Sequence, residues 1–152
     1  MIELGIARFT VGVFQDLAWA EKGIDALEAQ GFPPDALSVI AKATPETEAL
    51  IAKTMGPVEN RLTLPGVGAV VGRGPLVPAL QGDGQDLAAR GLAEAMLRVG
   101  FQSHDGRIFD ALVGRGGVLV AICSEARAAD ALALLLSYGG GNAAIGAWMG
   151  RV

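Results

Sequence analysis

Apolar residues occur along this chain in two rhythms: short unbroken runs, and stripes that return every three or four positions. The runs Phe9–Phe14 (FTVGVF), Leu37–Ala41 (LSVIA) and Val118–Cys123 (VLVAIC) are rich in β-branched, aliphatic or aromatic side chains. Runs of that length bounded by turn residues read as strands. No polar alternation interrupts Val118–Cys123, so both of its faces are expected to be covered and the strand interior to its sheet. The stripes read as helices. Leu17, Ala20, Ile24 and Leu27 share one side of the segment Leu17–Gln30, with Glu21, Lys22, Asp25 and Glu28 opposite. Asp16 is its expected N-cap and Gly31 its C′ residue. Phe32-Pro33-Pro34-Asp35 cannot continue a helix, because proline lacks the N–H and restricts the residue before it.

The order returns near the end of the chain. Val118–Cys123 is a strand, Ser124 a cap, Glu125–Ser137 a helix, Gly139-Gly140-Gly141 its end, and Ala143–Trp148 (AAIGAW) a last strand. Aligning Ala18 with Ala126 also brings Ala20 onto Ala128, Leu27 onto Leu135 and Gly31 onto Gly139. Two βαβ units in one sheet predict an α+β, ferredoxin-like βαβ-βαβ sandwich, with residues 9–41 as the first half and 115–150 as the second. The first and third strands then lie mid-sheet, and Ala143–Trp148 at an edge. Residues 42–114 read as a long, partly helical insertion containing Gly and Pro, within a single domain spanning 1–152. In it, Thr44-Pro45-Glu46 opens a helix to Met55, which Gly56-Pro57 stops. Leu62–Leu80 is Gly- and Pro-rich yet apolar enough to be ordered, and Gln81–Gly84 is a loop. Leu87–Val99 is expected as one helix with Leu87, Ala88, Leu92, Ala95, Met96 and Val99 on its apolar side. Ser103 is expected to cap a further helix through Val113, ended by Gly114.

Composition narrows the function classes. With 51% apolar and 18% charged residues, the 152-residue chain is not disordered. Its 12 basic and 16 acidic residues, a net charge of −4, and the absence of a basic cluster argue against nucleic acid. One cysteine and one histidine exclude an intrachain disulfide and the usual zinc spacings. Glu3 and the lack of a basic opening argue against a signal peptide. The uncharged window Ala131–Gly150 has Ser137, Tyr138, Gly139–Gly141 and Asn142 at its centre, so it reads as a buried helix and a strand, not a membrane span. A cytoplasmic protein without cofactor or metal is expected.

Candidate chemistry is sparse. Pro65–Pro75 (PGVGAVVGRGP) has closely spaced glycines but fits neither nucleotide-binding glycine fingerprint and contains no lysine, so tight turns and close packing explain it better than a phosphate site. His104 beside Asp105 suggests a general base, but no serine or second carboxylate completes a constellation, and a surface or capping role is the simpler reading. Cys123, ending a buried strand, reads as an inert small hydrophobe. Arg73, His104 and Arg115 remain as anion- or ligand-binding candidates, with solvated arginines an equal explanation. No catalytic residue is assigned.

Three pieces of the chain carry a family resemblance: Gly31-Phe32 with Ser38-Val39-Ile40, Pro65–Gly68 with Gly74-Pro75-Leu76, and Gly116–Val120. From Val11 to Gly140 the chain resembles the bacterial general stress protein 17M-like and heat-induced stress protein domains, a family of uncharacterised activity. Many of those relatives carry a membrane-like Gly/Ala segment mid-chain; here Arg73, Asp83, Asp86 and Arg90 interrupt it. The resemblance implies a stress-associated protein and transfers no catalytic residue. The resulting expectation is a non-enzymatic module that self-associates, as a homo-oligomer, or binds another protein. The alternative is a small-ligand sensor with its pocket at the Gly-rich insertion or a subunit interface. An enzyme would need a site assembled from Arg73, His104 and Arg115.

Overall fold

The computed structural model describes residues 8–82, 84–123, 127–137 and 142–147. Six antiparallel strands form one sheet in the order β3-β4-β2-β5-β1-β6: β1 (Arg8–Phe14), β2 (Leu37–Lys42), β3 (Asn60–Leu64), β4 (Gly68–Arg73), β5 (Val118–Cys123) and β6 (Asn142–Ala147). The protein is therefore α+β. β5 lies between β1 and β2, and each residue from Val118 to Ile122 is 1% exposed or less.

Both faces of β5 are covered because helices lie on both sides of the sheet. On one side Val118, Val120 and Ile122 join Phe14, Val39 and Ala41. Helices α1 (Leu17–Ala29), α2 (Pro45–Thr54) and α7 (Ala128–Ser137) cover that face with Ile24, Leu27, Ile51, Ala131 and Leu135. Leu27 and Leu135, matched in sequence, thus meet in one core. The opposite face presents Val11, Val13, Ile40, Leu119 and Ala121. Over it lie α3 (Leu76–Gln81), α4 (Asp86–Arg90), α5 (Leu92–Arg98) and α6 (Ser103–Gly114). Arg98 ties the short helices together: its guanidinium donates to the carbonyl oxygens of Ala79 and Leu80 at the end of α3 and pairs with Asp86 of α4 at 2.8 Å.

Local chemistry sets the helix ends. The Asp16 carboxylate accepts from the Trp19 N–H at 2.9 Å and Thr44 Oγ1 from the Thr47 N–H at 3.1 Å, so each begins its helix as an N-cap. Gly31, at φ 94°, follows α1 in the left-handed region where glycine is unstrained.

Two expectations change. The helix expected over Leu87–Val99 is two helices, because Gly91 adopts φ 99° and turns the chain between Arg90 and Leu92. Leu87, Leu92, Ala95, Met96 and Val99 are buried as their spacing suggests. Ser103 is the first residue of α6 and not its cap; Gln102 occupies that position with no side-chain hydrogen bond. Other expectations lie outside the described residues: Glu3, Asp83, Ser124 as a cap, Gly139–Gly141 and Trp148. Among the described residues no helix is long and apolar enough to cross a membrane, and the window Ala131–Gly150 contains the end of α7 followed by β6.

Candidate functional site

The glycine-rich stretch resolves into a hairpin and a docked helix start. Gly66 (φ 79°) and Gly68 (φ 100°) shape the turn from β3 to β4, and the Val67 N–H donates to the Leu64 carbonyl at 3.2 Å. Gly74 (φ 107°) then brings the chain onto the start of β2. A Cβ on Gly74 would lie 2.2 Å from the Leu37 carbonyl oxygen and 2.5 Å from Ser38 Oγ. The buried Ser38 hydroxyl accepts from the Leu76 N–H at 2.9 Å, supplying the donor at the start of α3 with a partner. Ser38-Val39-Ile40 and Gly74-Pro75-Leu76, which stand apart in sequence, therefore form one junction.

Beside this junction opens a cleft of about 470 Å³. Pro34, Pro75 and Pro78 form apolar walls beside the buried Leu37, and Asp35, Asn60, Glu59 and Arg73 supply the polar groups. Arg73 ends β4 and is mostly buried. Its Nη1 donates to the Pro57 carbonyl at 2.7 Å and lies 3.1 Å from Glu59 Oε2, so it braces the loop that leads into β3. Asp35 sits in a single 3-10 turn (Pro34–Ala36), presented by the proline pair that stops the chain from remaining helical after α1. Asp35 and Asn60 make no side-chain hydrogen bond or ion pair within the described residues. Sequence reasoning picks out Arg73 but not Asp35 or Asn60, because single surface polar residues carry no spacing signal.

His104 and Arg115 do not join Arg73. His104 is exposed in the first turn of α6, Arg115 is exposed at its C-cap, and neither lines this cleft. They stand eleven positions apart on that helix, about 16 Å along its axis. Cys123 is partly buried, and desolvation raises its thiol above the ordinary value, which favours the protonated, unreactive form. Among the described residues, no group of three His, Cys, Asp or Glu side chains could hold a metal ion.

The two sheet edges differ. At the β3 edge, Arg61 makes a two-pronged pair with Glu48 of α2, both bonds 2.8 Å, while Pro65 follows the strand and α4 packs against it. These are devices that discourage a further strand from adding. Among the described residues β6 ends the sheet on the other side, and its sequence NAAIGA carries no charge and no proline. α7 packs on β6 and on β1. Leu134 of α7 packs into the core, whereas Leu136, about 200° further round the helix, is 50% exposed.

Comparison of the chain with protein-family models, curated proteins and solved structures finds no match.

Proposed function

We propose that this protein is a cytoplasmic, non-enzymatic, stress-associated module that works by self-association through its β6 edge. The observation that carries this reading is the contrast between edges: β3 carries an ion-paired arginine and is followed by a proline, while the β6 sequence carries neither charge nor proline. Bare apolar edges template further strand pairing, so natural proteins normally cover or charge them. A second copy is the favoured cover, because identical uncharged strands can meet without like-charge repulsion. Leu136, half exposed on α7, the helix that packs on β6, would offer apolar surface to such a contact, and Trp148, outside the described residues, is of a type enriched at interfaces.

The strand order supports a ferredoxin-like core for this module. In β2-β5-β1-β6, each crossover helix, α1 or α7, links two strands that flank a third. On this reading 42–114 is an insertion whose hairpin widens the sheet and whose later helices cover its second face. Truncation after Asn142 tests the association: it lowers the sedimenting mass or leaves the chain insoluble. A soluble truncated chain that keeps the full-length assembly overturns it. The cleft beside Arg73 favours a second reading, a small-ligand site at the Gly-rich segment.

A further inference from the structure

We infer that the Arg73 cleft takes a small zwitterion of the amino-acid class, a free ammonium and a free carboxylate on one apolar body. This deepens the ligand-site reading and rests on it; it does not depend on self-association. The lining carries charges of both signs. Asp35, with no partner among the described residues, is an acceptor suited to an ammonium. Arg73 commits Nη1 to Pro57 and Glu59, and its remaining N–H groups are donors suited to a carboxylate. Asn60 can donate or accept beside them. A simple anion would meet the carboxylates of Asp35 and Glu59, and a simple cation would meet the Arg73 guanidinium. A molecule bearing both charges satisfies each wall in turn. Pro34, Pro75 and Pro78 offer no backbone N–H, so they form a rigid apolar surface for a side chain. The volume, about 470 Å³, lies within the range of small-molecule clefts. Gly74, which no larger residue can replace without striking Leu37 and Ser38, fixes one end of the cleft against β2.

The probe is L-leucine, titrated into the full-length protein at millimolar concentration while backbone amide shifts are followed by NMR. The expected result is saturable shifts at Asp35, Asn60 and Gly74, with N-acetyl-L-leucine and L-leucinamide each binding about tenfold more weakly, the scale of one lost charge-assisted hydrogen bond. Asp35→Asn should weaken L-leucine to a similar degree without changing the melting temperature. If either blocked analogue binds as well as L-leucine, the zwitterion assignment is wrong although the cleft remains a ligand site. If none of the three compounds shifts the cleft amides, the assignment and the ligand-site reading both fall.

Discussion

Gly74→Ala is the most discriminating single change in the fold, because two separate costs meet at one atom. The residue sits at φ 107°, and the added Cβ would lie 2.2 Å from the Leu37 carbonyl oxygen, 2.5 Å from Ser38 Oγ and 2.6 Å from Ser38 Cα. A left-handed backbone costs a non-glycine residue about 1–2 kcal/mol. Relieving contacts against backbone, which unlike a side-chain tip cannot swing aside, adds about 1–3 kcal/mol as β2 and α3 separate. Separation also stretches the Ser38–Leu76 hydrogen bond. The total, about 2–5 kcal/mol, is a large part of a stability of about 5–15 kcal/mol. Gly66→Ala is the control, since Gly66 is also left-handed (φ 79°) but has nothing within 4 Å of its would-be Cβ. It should lose only the backbone share, about 1–2 kcal/mol. Urea unfolding of both variants against the parent gives the two numbers directly. Equal losses would refute the claim that Gly74 is held by contact with β2.

Two further changes probe the core and its charges. Val118→Asp puts a carboxylate into the buried face of β5 at a cost of several kcal/mol and should unfold the chain, whereas His104→Ala, on the exposed start of α6, should melt with the parent; a soluble Val118→Asp protein melting near the parent contradicts the interior placement. Asp110 on α6 has its carboxyl raised above the usual range by desolvation, so the folded state holds that proton more tightly than the unfolded state and loses stability as pH rises through the raised value. Asp110→Asn should therefore raise the melting temperature at neutral pH and leave it unchanged below the ordinary carboxylate range; a lower melting temperature at neutral pH would reverse the assigned sign.

The strands at Phe9–Phe14, Leu37–Ala41 and Val118–Cys123 are legible in sequence because their residues pack on both faces of the sheet, where even the polar Thr10 and Ser38 are buried, so no solvent-facing position breaks the run. The cap at Asp16 and the helix start at Thr44-Pro45-Glu46 are legible because their signals are local, within three residues of the first turn. What escapes is set by contacts between distant positions. Leu87 to Val99 keeps its apolar rhythm through Gly91, so periodicity alone cannot show the chain turning there. The gathering of α3 and α4 around Arg98 of α5 likewise rests on contacts between distant positions, which have no local signature. The same holds for the cleft: Arg73 stands out among glycines, but Asn60 reaches it through the β3–β4 ladder, opposite Gly72, and Asp35 through the turn before β2, whose pairing with β4 sets Val39 opposite Arg73.

Self-association through β6 is the central claim, and sedimentation velocity of the full-length protein across micromolar concentrations tests it most directly. The chain mass is 15.5 kDa. The account predicts a species of at least twice that mass, dissociating on dilution or when Leu136, half exposed on α7, is changed to lysine. A single species at the chain mass throughout the range would contradict it.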